Sequence, residues 1–153
     1  EALPVGIDVV ALAVISTSVP SLQQAVTSCR WEIEVRGGTA EEVADQVDRL
    51  LATPEILLTR ERKSKSFTDD VRPYLLELSV SGPTESGTIV RAHLATQPRG
   101  LRSSEFIALL DPEWEEGLVR RTNQLMLLDG ALCEPLEVHS AAASAPYAQV
   151  RAS

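Results

Sequence analysis

The stretch of this chain richest in anion-binding groups is Arg60-Glu61-Arg62-Lys63-Ser64-Lys65, followed shortly by Asp69-Asp70-Val71-Arg72-Pro73. Between Arg60 and Arg72 lie five of the 14 basic residues and only three of the 22 acidic ones, in a chain of formal net charge −8. Guanidinium and ammonium groups this close in sequence can converge on phosphate or carboxylate oxygens, where charge-assisted hydrogen bonds are short and strong. Arg60 and Arg62 fall on one face of an extended segment, with Lys63 and Lys65 in a flexible segment beyond. Arg60, Arg62, Lys63, Lys65 and Arg72 are therefore the candidate partner- or phosphate-binding residues. The plain alternative is a solvated strand end whose charges pair with Glu61, Asp69 and Asp70 and discourage edge-to-edge aggregation. Arg99, Arg102 and Arg120-Arg121 extend the patch wherever the fold brings them near. Single-stranded nucleic acid also wants exposed aromatic platforms. Trp31 and Phe106 read as buried, which leaves Phe67, Tyr74 and Trp114, and Phe67 lies beside the basic run.

Catalysis needs an acid, base or nucleophile that a neighbour activates. His93 shares a strand face with Ile89, Arg91 and Ala95, a mixed pattern that reads as a solvated histidine with no partnered motif. His139 lies near the end of the chain. Cys29 is expected to point with Trp31 into the core, where a thiol behaves as a small hydrophobe, and Cys133 follows a turn. The adjacent carboxylates Asp69-Asp70 and Glu115-Glu116 diverge to opposite faces of a strand, so they suit neither a shared metal nor a glycosidase pair. No P-loop, dinucleotide fingerprint, HExxH or GxSxG occurs. No catalytic residue, metal or cofactor is expected.

The elements that must position these residues follow from the hydrophobic pattern. Residues 7–15 are almost continuously apolar and β-branched, which predicts a strand. Residues 22–26 allow one helical turn. From Cys29 the alternation is clean, with Cys29, Trp31, Ile33 and Val35 on one face and Arg30, Glu32, Glu34 and Arg36 on the other, as in a half-buried strand with a charged outer face. After Gly37-Gly38, Thr39 and Glu42 form a capping box, and Ala40, Val43, Ala44, Val47, Leu50 and Leu51 recur at helical spacing until Pro54. Residues 55–61 predict the next strand, with Ile56 and Leu58 facing inward. Residues 72–81 and 88–97 form an antiparallel hairpin around a Gly/Pro/Ser-rich loop. Ser103 opens a short helix ended at Asp111-Pro112, and residues 118–128 make a last strand closed by Asp129-Gly130. This order predicts an α+β fold: a ferredoxin-like βαββαβ sandwich with additional strands, its sheet mainly antiparallel and its helices on one face.

A length of 153 residues, 44% of them hydrophobic, fits one α+β domain over residues 1–138 with an aliphatic core, followed by a disordered Ala/Ser-rich tail over 139–153. The start at Glu1, directly inside Leu3-Pro4-Val5-Gly6-Ile7, reads as the C-terminal part of a longer protein. The acidic balance excludes general nucleic-acid or anionic-membrane binding by the whole surface but leaves a local basic patch open. Residues 7–15 are too short to cross a bilayer and lack the basic flank of a signal peptide. Two cysteines without CxxC or Cys/His spacing fit a reduced, soluble, cytoplasmic protein.

The segment Arg60-Glu61-Arg62-Lys63-Ser64-Lys65 with Asp70-Val71-Arg72-Pro73-Tyr74-Leu75 resembles the bacterial radical-SAM-linked family, whose domain of unknown function is fused or adjacent to radical SAM proteins. Leu3-Pro4-Val5-Gly6-Ile7, Pro20-Ser21-Leu22 with Arg30-Trp31-Glu32-Ile33, and Val119-Arg120-Arg121-Thr122 resemble other stretches of that family in the same order. The resemblance spans residues 3–136. It implies an accessory protein rather than the radical enzyme, because the three-cysteine motif that holds an iron–sulfur cluster is absent. The family's N-terminal half, with its GFxPHP stretch, has no counterpart here. The expectation is a noncatalytic partner-binding domain, the C-terminal part of a radical-SAM-associated protein, whose Arg60 to Arg72 region holds an acidic protein surface or RNA phosphates, with a radical SAM protein as the partner the resemblance implies. The alternatives are the RNA-binding part of an RNA-modifying or RNA-processing system, and an oligomerising module.

Overall fold

Thr39 and Glu42 set the sharpest boundary in the chain. The Thr39 hydroxyl accepts from Glu42 N–H at 3.2 Å and the Glu42 carboxylate accepts from Thr39 N–H at 2.7 Å, so two otherwise orphaned donors are satisfied where a helix begins. The computed structural model describes residues 4–15 and 17–137. Its contacts divide the chain into two units, one of residues 27–124 and one of residues 1–26 with 125–153. The Ala/Ser-rich tail expected from residue 139, and His139 with it, lie outside the described residues.

Most regular structure belongs to the 27–124 unit. Strand β1 (Val26–Arg36) leads to helix α2 (Ala40–Ala52), after the single turn α1 (Leu22–Ala25). A hairpin of β2 (Leu57–Arg62) and β3 (Lys65–Asp70) follows, then a 3-10 turn at Arg72–Tyr74, β4 (Leu75–Pro83), β5 (Thr88–Ala95), α3 (Ser103–Leu110) and β6 (Glu115–Leu128). The main sheet runs β4-β5-β1-β6. Its β1–β5 and β4–β5 pairs are antiparallel, with Arg30 opposite His93, Ile33 opposite Val90, and Val80 opposite Val90 on the other side. The result is a mixed α+β fold with a mostly antiparallel sheet.

The core forms where the alternating face of β1 meets the apolar stripes of the helices. Ile33 and Val35 of β1, Val90 and Leu94 of β5, Val43, Val47 and Leu50 of α2, and Phe106, Ile107 and Leu110 of α3 are buried in one cluster. Each such side chain contributes about 1.5–3 kcal/mol by leaving water. Arg49 of α2 ties the two helices, donating from Nη2 to the Leu110 carbonyl at 3.1 Å at the end of α3.

Three expectations need correction in this unit. Residues 65–70, expected to be flexible from Lys65 onward, form β3: Lys63 and Ser64 both adopt positive φ, 49° and 64°, the backbone that a two-residue hairpin turn requires. No Asn-Gly or Asp-Gly marks the turn, so its usual signal is missing. Glu34, expected on a solvated charged face, is buried. Its carboxylate accepts from Thr84 Oγ1 and Ser86 Oγ at 2.7 Å, from Leu118 N–H at 3.0 Å, and from Arg36 Nη2 at 2.9 Å. The Leu118 amide first, then the two hydroxyls, with Arg36 a smaller contributor, hold its pKa down to about 2. Gly117 faces this carboxylate so closely that a Cβ there would collide with Glu34 and Arg36. His93, read as solvated, is 6% exposed, on a strand paired on one side with β1 and on the other with β4.

The second unit comprises residues 1–26 and 125–153. At its start Ile7 N–H donates to the Pro4 carbonyl, but residues 7–15 adopt no strand, contrary to the expectation from their composition. Val10, Leu12 and Val14 are almost fully exposed. β-branched residues favour extended backbone, yet a strand exists only where a neighbour pairs its N–H and C=O groups, and these residues have no such neighbour among the described ones. At the other end of the unit, the last residues of β6 pair with β7 (Ala131–Cys133) across Asp129 and Gly130, both at positive φ.

Candidate functional site

The β2–β3 hairpin gathers most of the basic segment, and its register sorts the side chains. Leu58 stands opposite Asp69, Arg60 opposite Phe67 and Arg62 opposite Lys65, so these six share one face. Thr59 and Thr68 hydrogen-bond at 2.8 Å on the other face and help hold the register.

Two of the five candidate cations are enclosed by the fold. Arg60 grips Glu105 of α3 with two parallel bonds, Nε to Oε1 at 2.9 Å and Nη2 to Oε2 at 3.0 Å, and also donates to the Gly100 carbonyl. The Arg60 and Glu105 side chains are only 16% and 20% exposed, the setting in which bidentate geometry is strongest. Arg72 spends its guanidinium on three carbonyls, those of Thr53, Leu51 and Leu75, at 3.0–3.1 Å. It thereby caps the carbonyl end of α2, while Asp70 Oδ1 receives the Ile56 and Arg72 N–H groups.

The other three form the hairpin tip. Arg62, Lys63 and Lys65 are exposed, and among the described residues no ion pair engages their side chains. Arg62 and Lys65 are directly opposed like charges, an arrangement that costs stability in an isolated hairpin. Beside them Phe67 is 39% exposed, with the Arg99 guanidinium 5.4 Å from its ring centroid and 3.5 Å from Asp69. Arg99 thus joins the patch. Arg121 instead lies over Trp31 at 5.6 Å. Tyr74 and Trp114 pack against the core, which leaves Phe67 as the exposed aromatic beside the cations.

The outer face of the sheet holds groups that sequence reasoning did not assemble. His93 Nε2 lies 2.8 Å from Ser28 Oγ, and its Nδ1 lies 3.7 Å from Glu77 Oε2. Burial, then the charge of Arg30 opposite, push the imidazole pKa below the ordinary histidine range, with Glu77 pulling the other way. Ser28, also buried, lies just before the alternating run that the sequence pattern picked out; the missing signal was its diagonal placement from His93. The Cys29 thiol is pushed up by burial, partly offset by Arg121, and stands as a buried thiol rather than a nucleophile. Among the described residues, no three His, Cys, Asp or Glu side chains are placed to hold a metal ion, and no helix is long and apolar enough to cross a membrane.

The family model described as "Uncharacterized protein conserved in bacteria (DUF2344)" matches residues 1–103, and the chain belongs to that family. The match takes in β1, α2, the whole hairpin and the outer-face residues of β4 and β5. No curated protein and no solved structure matches the chain.

Proposed function

We propose that this member of the family is a noncatalytic accessory domain that holds an acidic surface of a partner on the tip of the β2–β3 hairpin. The observation that carries the reading is the opposed pair Arg62 and Lys65 with Lys63 between them, three cations that no ion pair engages among the described residues, in a chain of net charge −8. Departures from locally favourable patterning tend to fall at functional or strained sites, which supports this reading of the tip. The partner we propose is a radical SAM protein, on the strength of the segment around Arg60 to Leu75, acting with this domain in the cytoplasm. The order β1-α2-β4-β5-α3-β6, with the sheet arranged β4-β5-β1-β6, supports a ferredoxin-like core into which the hairpin is inserted.

The test is charge reversal of Arg62, Lys63 and Lys65 to Glu together, leaving Arg60 and Arg72 intact because they hold the fold. Capture of a radical SAM protein from nuclease-treated bacterial lysate should be lost, with stability changed by no more than about 0.5 kcal/mol. Capture undiminished by the triple change overturns the reading. RNA is the second reading, favoured by Phe67 and Arg99 beside the tip. It predicts capture that nuclease abolishes and affinity that falls steeply with salt as phosphate contacts release counterions.

A further inference from the structure

The outer sheet face of the 27–124 unit carries an arrangement separate from the hairpin. Three adjacent strands place Glu77, His93 and Arg30 in one cross-strand row and Ser79, Arg91 and Glu32 in the next. A cleft of about 330 Å³ is lined by these two rows and by Thr122 and Asn123 of β6, a volume at the lower end of the range for small-molecule sites. None of its lining residues belongs to β2 or β3.

The cleft is rich in donors. His93 is buried and its ring is fixed by Ser28. Ser28 is 2% exposed and does not line the cleft, so it anchors the imidazole and is not a nucleophile. Nδ1 lies 3.7 Å from Glu77 Oε2, longer than a good hydrogen bond, so a ligand that bonds to this nitrogen takes the place of the Glu77 carboxylate. Among the described residues no carboxylate pairs with Arg30, and Arg91 meets Glu32 at 3.4 Å with its side chain 63% exposed. Two guanidiniums, an imidazole and the hydroxyls of Ser79 and Thr122 therefore border one space, against the carboxylates Glu32 and Glu77. The Glu77 side chain is 75% exposed and turned to water.

We propose that this cleft binds a small phosphomonoester, with Arg30 and Arg91 holding the phosphate and His93 hydrogen-bonding to it. The donors come from two neighbouring strands about 4.8 Å apart, a spacing that lets them reach different oxygens of one tetrahedral group. The remaining volume accommodates the organic part of the ester.

The experiment follows the His93 imidazole by NMR in the full chain, assigned with His93→Gln, while glycerol 3-phosphate, inorganic phosphate or acetate is added. Glycerol 3-phosphate should shift the resonance saturably and raise the His93 titration midpoint, because a neighbouring anion favours the imidazolium. It should bind more tightly than inorganic phosphate, and Arg30→Gln or Arg91→Gln should each weaken it by about tenfold, the loss expected for one charge-assisted contact. No saturable response below about 10 mM overturns the proposal, since weaker binding is nonspecific. Equal binding of acetate or inorganic phosphate overturns the ester assignment. Binding that survives both arginine changes, or disappears in Arg62→Glu, overturns the assignment to this cleft.

Discussion

Arg60 and Arg62 stand two residues apart on the same hairpin face, yet Arg60 is clamped to Glu105 while Arg62 is set opposite Lys65. The base of the hairpin is architecture. There Arg60 locks β2 to α3, and nearby Arg72 closes the carbonyl end of α2. The tip carries the same residue types, and among the described residues no ion pair engages them. The difference shows that charge density in a segment is a poor guide to its role. What separates a structural arginine from one free to bind a partner is whether the fold brings acceptors within hydrogen-bond reach.

The comparison breaks most clearly at Arg72. Arg72→Ala strips three part-buried carbonyls of their donor, and at about 1 kcal/mol for each hydrogen bond lost should cost about 3 kcal/mol, read as a lowered urea midpoint with unchanged slope. A loss no larger than that of the triple tip variant would dissolve the distinction between enclosed and free cations. Gly117→Ala probes enclosure from the acidic side. Its Cβ would intrude on Glu34 and Arg36, and the resulting overpacking should cost about 2 kcal/mol in the same assay.

Glu34 also makes stability depend on pH. Glu34 has a folded pKa of about 2 against an ordinary value of 4.5, so as pH falls the unfolded chain takes up its proton first. The stabilisation is complete above pH 4.5 and is lost as pH falls toward about 2. Urea midpoints measured between pH 6 and 2 should therefore decline more steeply in the native protein than in Glu34→Gln. Parallel declines would show that the buried carboxylate is not the group responsible.

Local signals were legible wherever one segment carries its own instructions. Thr39 with Glu42, the helical spacing of Val43, Val47 and Leu50, the divergence of Asp69 from Asp70, and the inward face of Ile33 and Val35 all read directly from the chain. Residues 7–15 show the limit, because their composition states a preference that only a neighbouring strand can realise. The Lys63-Ser64 turn was illegible for a different reason: its positive φ values are imposed by the strand pairing on either side, not favoured by the residues themselves.

The acidic balance, the aliphatic core faces, the mixed α+β class and the location of the basic segment follow from residue type and short-range period alone. The enclosure of Arg60 and Arg72 but not of Arg62, Lys63 and Lys65, the role of Glu34 as a buried acceptor, and the meeting of Ser28, Arg30, Glu77 and His93 arise from the folded arrangement. These residues lie tens of positions apart in the chain, and their hydrogen bonds depend on strand register and on distances of about 3 Å, which sheet pairing sets and local sequence does not encode.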